Sequence, residues 1–278
     1  MRISIVQREN LEDKAENLEA ILEAIDRAGR DSADLVVFPE ASMKAFGSGR
    51  LDTVAEPLDG DFAEQIRQAA DRAGLTVVLG MFTPADTVEV DGKKINRIHN
   101  TLLATGRGVE ARYDKIRLFD AFGFRESDTV APGSELSLID VPLTGAPSIR
   151  VGLATCFDVR FPEQFVELAE KGADVILLPA AWNDGPGKLP QWRTLTAARA
   201  LDSTTFLVAV DAARPGGAKK AGDAEGPTGI GHSAVIGPDG QLLAEAGYEP
   251  QQFSVDVPLD DLVRIRKQIP VLEIRSSE

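Results

Sequence analysis

Short, wholly apolar runs alternate with amphipathic segments along most of this chain, and that alternation restricts it to an α/β architecture. Residues 2–7 read as a first strand. Leu11, Ala15, Leu18, Leu22 and Ile25 then mark one face of a helix, with Asn10 as its cap and Gly29 near its close. Leu35-Val36-Val37-Phe38 carries no polar residue, as expected of a strand covered on both faces. Residues 61–73 read as helix and Leu75 to Phe82 as strand. Asp91-Gly92 and Gly106-Arg107-Gly108 are turn signals between β-like segments. Beyond them the pattern predicts strand 149–155, helix 161–171, strand 174–178, helix 190–201 and strand 204–210. Pro238-Asp239-Gly240 turns a late hairpin, and a last short helix covers 258–267. Loops at 183–190 and 214–231 are not linkers, because strands resume on both sides. The 278 residues, 43% of them hydrophobic, can bury a sizeable core and read as one domain with mixed sheets covered by helices.

A net charge of -14, from 44 acidic and 30 basic residues, argues against nucleic acid and anionic membranes as partners, since both need a basic face. No stretch reaches the roughly 18 consecutive apolar residues of a membrane span. The N-terminal Met1–Val6 run meets Glu9, Glu12 and Asp13 too soon for a secretory signal, so the expectation is a cytoplasmic protein. One cysteine allows no intrachain disulfide, and one cysteine with two histidines argues against a structural zinc site.

That cysteine is the first candidate for chemistry. In Arg150–Glu163 an apolar strand runs into Cys156, and Pro162 and Glu163 then open an amphipathic helix. A strand-to-helix turn exposes a nucleophile at a sheet edge, and a helix N-terminus favours a thiolate and leaves N–H groups for an oxyanion. The plain alternative is a buried structural thiol. A nucleophile needs a base. His99 and His232 are available, but each fits a hydrogen-bonded packing role, so a carboxylate is sought. Glu40 follows the strand Leu35–Phe38 through Pro39, at the C-terminal strand edge where open α/β sheets hold ligands. Partial desolvation there makes a better base; the alternative is a solvated loop acid. Lys115, in Tyr113–Asp120, is either a surface lysine or a cation for the oxyanion of a tetrahedral intermediate.

Phe38-Pro39-Glu40, the Tyr113–Phe119 block and Thr155-Cys156-Phe157-Asp158, in that order, resemble the three signature segments of the nitrilase (carbon–nitrogen hydrolase) superfamily. The likeness extends through Pro179–Trp182, Arg199–Asp202, Gly231–Ser233 and Arg264–Val271, and looks closest to the branch of ω-amidase and deaminated glutathione amidase. The resemblance implies a four-layer α-β-β-α sandwich with Glu40, Lys115 and Cys156 as catalytic triad. It maps a second family glutamate, near substrate and lysine, onto Glu126. It implies an amidase that forms a thioester on Cys156, with the backbone N–H of Phe157 and Lys115 at the oxyanion, and no metal or organic cofactor. Its partners would be a small amide and water, and a second copy in a homodimer built by the helix after Cys156 and the C-terminal segment, about 258–278. Many relatives carry His two residues after the lysine; this chain has Arg117, which bears on local substrate contacts. Trp182 and Asn183 are expected either to line the pocket or, for Trp182, to sit in the core. Arg125, Lys188 and Arg193 are candidates to meet a substrate carboxylate, and Arg160 with Glu163 an expected ion pair. The same family also holds enzymes of nitriles, N-carbamoyl amines and other aliphatic amides, and a non-catalytic binding protein is the alternative outside it.

Overall fold

The computed structural model describes residues 1–90, 92–121, 123–224 and 226–276. The first part of the chain runs β1 (Arg2–Gln7), α1 (Lys14–Arg30), β2 (Leu35–Val37), α2 (Asp61–Ala73), β3 (Thr76–Val90), β4 (Lys93–Gly106) and β5 (Val109–Asp114). A small ribbon, β6 (Asp120–Ala121) with β7 (Phe124–Arg125), leads to the second part. That part runs β8 (Ser137–Leu143), β9 (Ala146–Leu153), α3 (Pro162–Glu170), β10 (Val175–Ala180), α4 (Lys188–Ser203), β11 (Phe206–Asp211), β12 (Ala234–Ile236) and β13 (Leu242–Glu245). The chain then returns through β14 (Gln251–Asp256) and ends in α5 (Asp260–Gln268) and α6 (Val271–Ser276).

Among the described residues the strands form two six-stranded mixed sheets, ordered β14-β1-β2-β3-β4-β5 and β13-β12-β11-β10-β9-β8. In each, parallel central strands (β1-β2-β3; β9-β10-β11) are flanked by antiparallel ones. The period of two along each strand sorts side chains between layers. Ile3, Ile5, Leu35 and Val37 of the first sheet meet Val151, Leu153, Val175 and Leu177 of the second in a core between the sheets. Val36, Val77 and Leu79 point the other way, onto Ile21, Ile25 and Ile66 of α1 and α2. Ile176, Leu178 and Leu207 point outward onto Phe165, Leu168 and Trp192 of α3 and α4. The layers are therefore helix, sheet, sheet, helix, as the resemblance implied. No helix among the described residues is long and apolar enough to cross a membrane.

Several boundaries differ from the sequence reading. The cap of α1 is Asp13, whose carboxylate accepts from Ala15 and Glu16 N–H. Asn10 instead donates to the Glu40 carbonyl. The strand expected to end at Phe82 continues to Val90. β14 and α6 had no clear periodic signal. The turn at Gly106–Gly108 is observed; in the other expected turn, Asp91 lies outside the described residues.

Candidate active site

Glu40 leaves the C-terminal edge of β2. The backbone there lies against β3: Gly80 N–H donates to the Pro39 carbonyl at 3.1 Å. A Cβ at Gly80 would stand 2.5 Å from Ala41 N and 2.8 Å from Glu40 Cα, so only glycine permits this approach. The Ser42 hydroxyl and the Asn10 amide bond the Pro39 and Glu40 carbonyls and finish fixing the loop. Gly80→Ala is expected to destabilise the fold by about 1–3 kcal/mol, an overpacking cost, and to lower turnover by displacing Glu40. Urea unfolding and initial rates check both.

Lys115 follows β5. Its N–H donates to the Asn100 carbonyl and its own carbonyl accepts from Gly133 N–H, both at 2.9 Å. Its Nζ, with the side chain 3% exposed, reaches Glu40 Oε1 at 3.0 Å and Glu126 Oε2 at 3.0 Å. Asn100 Nδ2 spans the same two acids, at 2.7 Å from Glu40 Oε1 and 3.3 Å from Glu126 Oε1. Glu126 opens a single 3₁₀ turn, and its Oε2 accepts from Phe119 N–H at 2.6 Å. Burial opposes the charge on Lys115, but Glu126, Glu40 and Cys156 outweigh it and hold the ammonium well above the ordinary lysine range.

Cys156 comes from the other sheet. β9 ends at Leu153, and the cysteine begins a 3₁₀ turn, Cys156–Arg160, that precedes α3. The thiol thus sits on the turn between strand and helix where the sequence pattern put it, and that turn is 3₁₀. Its φ of 44° is a left-handed conformation, costly for a side chain with a Cβ and held by its surroundings. The Glu40 carboxylate and the Ala181 backbone both act on the thiol's ionisation, and Ala181 N–H donates to Glu40 Oε2 at 2.9 Å. Burial first, then Glu40, push the thiol well up, against the pull of Lys115. At rest the site therefore holds a neutral thiol beside an acceptor and an ammonium.

These groups floor a cavity of about 850 Å³. Phe157, Trp182, Asn183 and Lys188 line it, together with Arg160. Trp182 meets both expectations: it borders the cavity and its ring packs 5.3 Å from that of Trp192. Arg125 and Arg193 do not border the cavity. Arg125 has a 70% exposed side chain and pairs with Asp128; Arg193 pairs with Glu245 at 2.7 Å. The expected Arg160–Glu163 pair does not form: Arg160 donates to Gln191 and stacks on Phe157 and Trp182, and Glu163 pairs with Arg117. Both histidines lie elsewhere in packing roles, His99 on the Ala131 carbonyl and His232 against Glu245 and Tyr248. Sequence reasoning missed Asn100, although it adjoins His99, and missed Asp211, whose carboxylate holds the N–H groups of Trp182 and Ile230 at 2.8 Å. Among the described residues, no group of three or more His, Cys, Asp or Glu side chains is disposed to hold a metal ion.

Residues 2–267 match the carbon–nitrogen hydrolase family. A hydrolase of Mycobacterium tuberculosis strain H37Rv is 44% identical, over 98% of this chain and 94% of its own. The deaminated glutathione amidase of Escherichia coli O157:H7 is 34% identical, over 93% and 91%. Among solved structures, a mutant of the amidase from Nesterenkonia sp. AN1, with acrylamide added at its active-site cysteine, superposes with a TM-score of 0.74 at 26% identity, over 97% of this chain and 98% of that one.

Proposed function

Because the chain belongs to the carbon–nitrogen hydrolase family, we propose that it hydrolyses a small aliphatic primary amide to a carboxylic acid and ammonia through a thioester on Cys156. The supporting observation is the convergence of Glu40, Lys115 and Cys156, from two different sheets, on the floor of one cavity. Glu40 takes the thiol proton as the sulfur attacks the amide carbon. Lys115, with the backbone N–H of Phe157, carries the charge of the oxyanion. Glu40 returns the proton to the departing ammonia, then activates the water that releases the acid. Glu126 and Asn100 hold Lys115 and Glu40 in register throughout.

The amide of choice is deaminated glutathione or the ω-amide of a keto acid. Support comes from the relative at 34% identity and from Lys188 and Arg160, two of the several cations lining the cavity, which suit a substrate carboxylate. Burial, then repulsion from Arg160, lower the Lys188 pKa, which an incoming anion relieves. The enzyme works as one domain, 1–278, paired through α3 and the segment 258–278, where Val263 and Ile274 are exposed. A reducing cytoplasm suits its free thiol.

Ammonia release from deaminated glutathione, α-ketoglutaramate, a nitrile and an N-carbamoyl amine, with Cys156→Ala as blank, tests this reading. Release is expected from one of the first two and to vanish in the blank. Turnover confined to the nitrile or the carbamoyl compound would replace the substrate class.

A further inference from the structure

A buried hydrogen-bond cluster behind the nucleophile is not used by the chemistry above. Asp158, fully buried, accepts three bonds: from Thr155 N–H at 2.8 Å, from the Tyr113 hydroxyl at 2.7 Å and from Arg117 N–H at 3.0 Å. Thr155 immediately precedes Cys156. Tyr113 and Arg117 stand two residues before and two after Lys115. One carboxylate therefore ties the nucleophile's turn, which continues from the second sheet, to both sides of the lysine segment, which continues from the first. Gln164, from α3, donates to the Tyr113 oxygen at 2.8 Å and leaves its proton to point at Asp158. The oxyanion needs the sulfur and the ammonium at a fixed separation, and an error near 1 Å there costs about 100-fold in rate.

We propose that Asp158 is a positioning residue for hydrolysis, clamping the Cys156 turn to the Lys115 segment, with the Tyr113 hydroxyl holding its carboxylate in place. The clamp needs an ionised Asp158, since all three partners donate. Burial raises this carboxyl to about 6, while Tyr113, the Thr155 N–H, Lys115 and the Arg117 N–H pull it down. The titratable and charged groups around it are Tyr113 on β5, Lys115 and Arg117 on the segment that follows, and Cys156 in its own turn. The Arg117 guanidinium is turned away, over the Phe161 ring and beside Glu163. Below about pH 6 the carboxyl takes up a proton and the clamp loosens, so rate falls on the acid side.

The inference rests on the amidase reading, and its test carries an arm that needs no substrate. Asp158→Asn is expected to lower kcat by about 10- to 100-fold with little change in KM. Tyr113→Phe, which keeps the packed ring, removes one donor and raises the Asp158 pKa. Its acid limb should move to higher pH, both in kcat and in the rate of Cys156 alkylation by iodoacetamide, with circular dichroism as in wild type. Normalised Tyr113→Phe profiles that superpose on wild type would overturn the clamp, as would activity lost only in proportion to native signal. A wild type inert to every amide sinks the amidase reading, and the alkylation profiles still decide the clamp.

Discussion

Glu40→Gln is expected to cut amide turnover by about a thousandfold, while Cys156 becomes easier to alkylate near neutral pH. The substitution is isosteric, and the amide oxygen can still face Lys115 and Asn100. Its NH₂ then meets the N–H of Ala181, where the carboxylate accepted at 2.9 Å, so a cost of about 1–3 kcal/mol in stability accompanies the loss of the base. The thiol responds in the opposite sense to turnover. Burial and Glu40 both hold its pKa up, and Lys115 and then the Ala181 backbone pull it down. With the charge on residue 40 gone, burial is opposed by the lysine without the carboxylate, and the pKa falls. Iodoacetamide modification followed by mass spectrometry across pH 6–10 reads the midpoint directly. A midpoint that stays, or climbs, would mean that Glu40 does not face the sulfur.

What the chain disclosed before its structure follows from how each feature is encoded. Buried central strands write themselves as apolar runs, so β2 and β10 were legible, and so was the layer order once family motifs were matched. β14 was not: Gln-Gln-Phe-Ser-Val-Asp is an edge strand half open to water and carries no apolar run. Glu40, Lys115, Glu126 and Cys156 stood out because each lies in a contiguous motif. Asn100 and Asp158 take their roles from register and from bonds between segments 26 to 60 residues apart, which local pattern does not show. Arg193 misled for a geometric reason. Trp192, its neighbour on α4, is 1% exposed and points inward; about 100° of helical rotation sends Arg193 to Glu245. Arg125 likewise adjoins Glu126, yet the backbone is extended at 125, and consecutive side chains there face opposite ways.

Lys115→Met is expected to abolish measurable turnover and to destabilise the protein by about 3–5 kcal/mol, the cost of leaving buried charge unpaired. Turnover goes because the oxyanion loses its cation, worth about 10²–10³ alone, and because Glu40 loses its anchor. The stability loss has a pH signature. In the native protein the ammonium is held well above its ordinary range; its stabilisation is complete below the unfolded lysine pKa and is lost only as pH rises through the higher folded value. Across neutral pH, wild type is therefore flat in this respect. In the variant, Glu40 and Glu126 face each other with Asn100 between and no cation, and one of them must bind a proton. A carboxyl whose folded pKa is raised supports folding fully below its unfolded pKa, near 4.3, and progressively less as pH climbs. The deficit relative to wild type should thus be small at pH 5 and grow towards pH 8, as urea unfolding at both values would record. Adding Glu126→Gln removes the second charge and should recover part of the loss at pH 8 while turnover stays absent. A deficit equal at the two pH values would show that the buried acids do not depend on this lysine for their charge.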